Sequence, residues 1–131
     1  MRFLLDTHVW LWLQTEPERV GDGVRSRLAD GSAQLLLSSA SAWEISIKYA
    51  LGKLPLPEPP HTYVPSRMRH DDVDGLPVTV THSLHVASLP AHHSDPFDRL
   101  LVAQAQLEHL ILVTADRALE PYDVELVRAA E

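Results

Sequence analysis

Four acidic residues, Asp6, Glu44, Asp98 and Asp116, are spaced along the chain so that they can work together. Asp6 follows the short apolar run Phe3-Leu4-Leu5. Asp116 follows Leu110-Ile111-Leu112-Val113 after Thr114-Ala115. Both runs read as buried strands, and in an open parallel sheet the carboxyl ends of strands form the edge where ligands bind. Glu44 and Asp98 fall in the first turns of two helices that begin near Ser39 and Asp95. Strand ends and the helix starts that follow them lie on one side of such a sheet, so all four acids can share one cleft. Four carboxylates in one cleft repel each other unless a cation neutralises them. Mg²⁺ or Mn²⁺ suits that donor set, because both prefer carboxylate oxygen and keep several waters. A pair of such ions, ~4 Å apart, can activate water and stabilise the leaving oxygen of a phosphodiester.

Each acid also has a purely structural account. Asp6 is placed to cap the helix after it, and Glu44, three residues after Ser41, completes a capping box. In His93-Ser94-Asp95-Pro96-Phe97-Asp98, Asp95 is the N-cap, Pro96 the first helical residue, and Asp98 sits where the first-turn N–H dipoles favour an anion. Asp98 is the hardest to dismiss, because the residues after it, Leu100-Leu101-Val102-Ala103, make a buried helix with an acidic head. The histidines His82, His85, His92 and His93 lack the i, i+4 ligand spacing on a helix, and no cysteine supports them, so the pattern disfavours zinc. His92 and His93 read as exposed loop residues.

The elements that must carry these groups alternate between strand and helix. Residues 2–5 form a strand that feeds a buried helix from His8. A short solvent-facing helix covers residues 24–30, and Gln34-Leu35-Leu36-Leu37-Ser38 is a second buried strand. A serine-capped helix follows, with Gly52 just past its end. Residues 53–60 are a proline-rich crossing, and residues 61–70 are weakly helical. Residues 76–80 alternate as a strand, and residues 81–89 make a helix capped by Thr81 and stopped by Pro90. The helix from Asp95 to Leu107, a strand at residues 110–113 and an edge strand near residues 121–127 complete the chain. The class is α/β, with a mostly parallel sheet flanked by helices.

The 131 residues suit one domain, 1–131, able to bury roughly two-thirds of its unfolded surface. The chain has no cysteine, which excludes disulfides, thiolate zinc and a thiol nucleophile and favours an intracellular, cytoplasmic setting. No signal peptide or membrane span is legible. Eleven basic residues against 18 acidic give a net charge of −7, so nucleic acid is not gripped by bulk charge.

Leu4-Leu5-Asp6-Thr7-His8, Ser41-Ala42-Trp43-Glu44-Ile45, the segment from Asp95-Pro96-Phe97-Asp98-Arg99 to Ala105, and Leu112-Val113-Thr114-Ala115-Asp116-Arg117 resemble, in order, the successive motifs of PIN-domain ribonucleases. More narrowly, they resemble the VapC toxins of bacterial toxin–antitoxin pairs. The resemblance implies a three-layer α/β/α fold and an acidic core of Asp6, Glu44 and Asp98 completed by Asp116. It implies Mg²⁺ or Mn²⁺ held chiefly by Asp6 and Asp98, and endonucleolytic hydrolysis of RNA that leaves a 5′-phosphate and a 3′-hydroxyl. It also implies a homodimer and a VapB-type antitoxin wrapped in an apolar groove, with Trp10, Trp12, Trp43, Tyr49 and Leu54-Pro55-Leu56 as candidates to line it. Core packing is the competing account of Trp10 and Trp12. Thr7 and Thr114 are candidates to orient water or carboxylates. Arg99 and Arg117 are candidates to approach phosphate, against helix-surface or salt-bridge roles. Two readings from other classes stand beside this one. A phosphotransfer domain built on Asp6 lacks a second Asp two positions on. A non-catalytic interaction module would use all four acids as helix caps.

Overall fold

Phe3, Leu4 and Leu5 are at most 1% exposed, which is the signature of a strand covered on both faces. In the computed structural model, which describes residues 1–130, they form β1 (Arg2–Leu5) at the centre of a five-stranded parallel sheet of order β3-β2-β1-β4-β5. The elements in chain order are β1, α1 (Thr7–Thr15), α2 (Asp22–Leu28), β2 (Gln34–Ser38), α3 (Ser39–Ala50), α4 (Pro60–Asp71), β3 (Val73–Leu76), α5 (Val80–His85), α6 (Pro96–Glu108), β4 (Ile111–Thr114) and β5 (Leu126–Arg128). Single 3-10 turns lie at Pro17–Arg19, Val86–Ser88 and Arg117–Leu119. Leu5 pairs in register with Leu37 on one side and Val113 on the other, so the carboxyl ends of β1, β2 and β4 come level.

Alternation along the strands divides the core in two. Phe3, Leu5, Leu37 and Val113 pack with Val9, Trp10, Val24 and Tyr63 on one face. Leu4, Leu36 and Leu112 pack with Leu101, Val102 and Ala105 of α6 on the other. The result is three layers, as expected for the fold class. Trp10 is fully buried, edge-on to Tyr63 with ring centroids 6.4 Å apart, so it belongs to the core and not to a surface groove. Trp10→Ala is expected to lower the unfolding free energy by ~3–5 kcal/mol, read from the urea midpoint at unchanged slope.

Several boundaries differ from the sequence expectation. The third strand lies at Val73–Leu76, not at residues 76–80, because Pro77 has no N–H for a ladder bond and Thr79 already caps α5. Thr79, not Thr81, is that cap, and His82 closes the box by accepting from the Thr79 N–H through Nδ1 at 3.0 Å. Its Nε2 lies 2.9 Å from Glu108, so His82 is a structural clasp between α5 and α6. Ser38, not Ser41, caps α3 by accepting from the Ala40 N–H at 3.0 Å. Ser41 stands inside the helix and accepts the Thr7 hydroxyl at 2.8 Å, so the box with Glu44 does not form. The second helix begins at Asp22 and buries Val24 and Leu28 rather than facing only solvent. Among the described residues, no helix is long and apolar enough to cross a membrane.

Candidate metal centre

Asp6 leaves the end of β1 and caps α1, with Oδ1 accepting from the His8 N–H at 3.3 Å. Its other oxygen accepts the Thr114 hydroxyl from the end of β4 at 2.6 Å. The Thr114 oxygen in turn accepts the Asp116 N–H at 3.0 Å, so one hydroxyl ties the two strand-end acids together. Asp98 comes from the first turn of α6. That turn is fixed by Asp95, whose Oδ1 accepts the N–H groups of Phe97 at 2.8 Å and Asp98 at 3.2 Å. Asp116 caps the 3-10 turn after β4 by accepting the Ala118 N–H at 2.9 Å. Asp6, Asp98 and Asp116 line one cavity of about 400 Å³ with His8, Trp12, His93, Asp95 and Ala115.

Glu44 does not line that cavity. Its buried carboxylate is paired with Lys48 one turn along α3 at 2.6 Å, yet its charge still reaches both Asp6 and Asp98. The structure therefore brings three of the sequence-derived acids to one opening and sets Glu44 behind them.

The electrostatics follow from that crowding. Burial raises the Asp6 carboxyl above its ordinary range, outweighing the Thr114 and His8 bonds that favour its anion. Asp98 is pushed up to about 7, first by burial and then by the charges of Asp6 and Asp95, with His93 pulling the other way. At Asp116 partial burial also opposes ionisation, but the Ala118 N–H and His93 together outweigh it and hold the group below its ordinary value. These donors fit a hard divalent cation. They are carboxylates from separate elements, pre-oriented by Thr114 and by backbone N–H groups, and crowded enough that Asp98 resists a third negative charge.

His93 is the residue that sequence reading missed. It is half-buried, not an exposed loop residue, and its Nε2 stands 2.9 Å from Asp116 and 3.2 Å from Asp98. The only local signal was its place two residues before the Asp95 cap. His92 is exposed as expected. Arg99 is engaged with backbone in this structure. It donates to the backbone carbonyls of Val86, Leu89 and His93 at 3.0–3.4 Å, and so fastens the segment that leads into α6.

A family model described as PIN domain matches residues 3–125. The chain is 47% identical over 72 residues to Ribonuclease VapC16 of Mycobacterium tuberculosis, an alignment that spans 53% of this chain and about half, 51%, of that relative. Its fold resembles a chain of VapBC2 from Rickettsia felis, solved bound to a DNA fragment from their promoter, with a TM-score of 0.75, 14% identity and coverage of 98% and 99% of the two chains. It also resembles a chain of DNA-bound VapBC from Salmonella typhimurium, with a TM-score of 0.69, 19% identity and 98% coverage of both.

Proposed function

The chain belongs to the PIN domain family, and from that membership we propose that it is a divalent-metal-dependent endoribonuclease, the VapC-type toxin of a toxin–antitoxin pair. The observation that carries the proposal is the meeting of Asp6, Asp98 and Asp116 around one cavity, with Asp98 pushed up to about 7 by burial and like charge. The 47% identity to a protein named a ribonuclease supports the choice of RNA as substrate. On this reading residues 1–131 act as a single domain.

Asp6, Asp98 and Asp116 would hold Mg²⁺ or Mn²⁺, with Glu44 setting the potential behind them while Lys48 limits its charge. A bound ion of this kind supplies an activated water and a countercharge for the phosphodiester oxygens. The protein's own part is orientation. Thr114 fixes the second oxygen of Asp6, the α1 N-terminus fixes the first, and the Asp95 cap holds the first turn of α6 so that Asp98 faces the cavity. Removal of the Thr114 hydroxyl frees the Asp6 carboxylate to rotate and deprives the Asp116 N–H of its acceptor. Thr114→Val is therefore expected to weaken Mn²⁺ binding by ~10–100-fold, measured by titration calorimetry.

The proposed partner is a small VapB-type antitoxin. An apolar groove lined by Leu11, Trp12, Leu54, Leu56 and Tyr63 meets the acidic cavity at His8 and Trp12, which supports a partner that covers both. A homodimer, and a hetero-oligomer with the antitoxin, belong to the same reading. The net charge of −7 gives no long-range pull on RNA, so recognition rests on the cation and on shape at short range.

The test is incubation of total cellular RNA with antitoxin-free protein in Mg²⁺, Mn²⁺ or chelator, followed by mapping of the new 5′ ends. Cuts at discrete sites that require metal and leave 5′-phosphates are the expected result. A folded protein that cuts nothing with either ion removes the ribonuclease reading and restores the interaction module.

A further inference from the structure

We propose that His93 is a positioning residue of this centre that works as a hydrogen-bond donor, holding the Asp116 carboxylate toward the cation, and is not itself a ligand. The inference rests on the reading of the cleft as a cation site. By distance alone the opposite conclusion is natural, because one atom each of His93, Asp98 and Asp116 lie within 4.8 Å of one another, as three ligands of one ion would.

The tautomer decides between the two. The backbone N–H of Asp95 reaches His93 Nδ1 at 3.1 Å, and an amide N–H can only donate, so Nδ1 must present its lone pair. The one proton of the neutral ring then sits on Nε2, which faces Asp116 at 2.9 Å and Asp98 at 3.2 Å. A flipped ring puts carbon atoms at both contacts and loses both bonds, so the pair of contacts fixes the ring orientation. Ligation through Nε2 would require that lone pair to be free and would move the proton to Nδ1, directly against the Asp95 N–H. Asp95 cannot readily turn away, because its side chain caps α6 through the N–H groups of Phe97 and Asp98.

A donor at this point has a task. The Asp116 side chain is 40% exposed, against 17% for Asp98, and among the described residues only the Ala118 N–H holds its first oxygen. The Nε2–H of His93 restrains the second oxygen and leaves it a further lone pair for a cation, the usual work of a group behind a metal ligand.

Long-range ¹H–¹⁵N spectra of the histidine rings at mildly alkaline pH, without and with Mg²⁺, test this directly. The His93 signals are assigned by their loss in His93→Gln. The expected result is the Nε2–H tautomer in both states, together with no directly bound histidine nitrogen in the pulsed electron paramagnetic resonance of the Mn²⁺-loaded protein. A switch to Nδ1–H on adding Mg²⁺, or a coordinated nitrogen on Mn²⁺, overturns the proposal while leaving the ribonuclease reading in place. Among variants, His93→Gln keeps an N–H donor and is expected to bind Mn²⁺ within about threefold of the parent, whereas His93→Ala loses ~10-fold or more. Equal loss in both variants, or none in either, also overturns it. A parent protein that binds neither ion removes the cation-site reading, and this inference with it.

Discussion

With Asp98 replaced by Asn, metal-dependent RNA cleavage is expected to fall by about 10³-fold or more, which corresponds to ~4 kcal/mol of lost transition-state stabilisation. Asn matches Asp in shape but offers one neutral oxygen where the carboxylate offers two charged ones, so the cation loses a ligand at the head of α6. The fold is expected to survive. The N-cap of α6 is Asp95, and the Asp98 backbone N–H keeps its bond to that cap whatever the side chain at 98. Stability without metal should even rise, because a carboxylate that the neighbourhood pushes up to about 7 is replaced by a neutral group. Initial cleavage rates, far-ultraviolet circular dichroism and the unfolding midpoint of one preparation check all three points. Asp95→Asn is the matching control. Asn caps a helix nearly as well as Asp, so this variant should stay within about tenfold of the parent rate. If the Asp98→Asn protein cuts RNA as fast as the parent, the acids are only caps and the mechanism fails.

The parts of this arrangement that were legible in the sequence are those set by local pattern. β1 and β4 announce themselves as apolar runs that end in polar residues, and α6 as a Pro-initiated helix with a capping Asp and a buried stripe. These three elements deliver Asp6, Asp116 and Asp98, so convergence at one sheet edge followed from topology alone. What the sequence withheld depends on contacts between distant residues. The Thr114 hydroxyl meets Asp6 across 108 positions, and His93 meets Asp116 across 23. No periodicity encodes either pair. Caps misled for a related reason. Ser38, Ser39 and Ser41 all suit an N-cap, and the choice among them depends on where β2 stops, which its pairing with β1 and β3 decides. Likewise the alternation at residues 76–80 resembles a strand, but a ladder needs an N–H that Pro77 lacks and a neighbour in register, which Val73 finds in Leu35. Nor does anything local encode the three carbonyls that Arg99 fastens.

The same crowding of charge predicts how stability responds to pH and metal. Asp98 titrates at about 7 in the fold against a reference value of 3.8, so between these values the folded chain holds a proton that the unfolded chain has released. Stability of the metal-free protein therefore falls as pH rises through this window, by at most on the order of 4 kcal/mol, and the loss is complete once Asp98 is ionised. Asp6, also raised, acts in the same direction. Asp116 is lowered, so its stabilisation is lost only in more acidic solution, below this window. On the proposed reading a divalent cation is expected to reverse the trend, because it would bind the ionised acids of the folded state alone and add about 2.7 kcal/mol at a hundred times its dissociation constant. Urea midpoints taken at about pH 5 and about pH 8, each with chelator or with Mg²⁺, should show a decline with chelator that Mg²⁺ largely cancels at the higher pH. In Asp98→Asn both the decline and the gain from Mg²⁺ should shrink together, since one carboxylate is the source of each. A flat chelator profile in the parent, or an undiminished Mg²⁺ gain in the variant, would separate the raised carboxylate from the cation site and remove the electrostatic argument for placing the ion there.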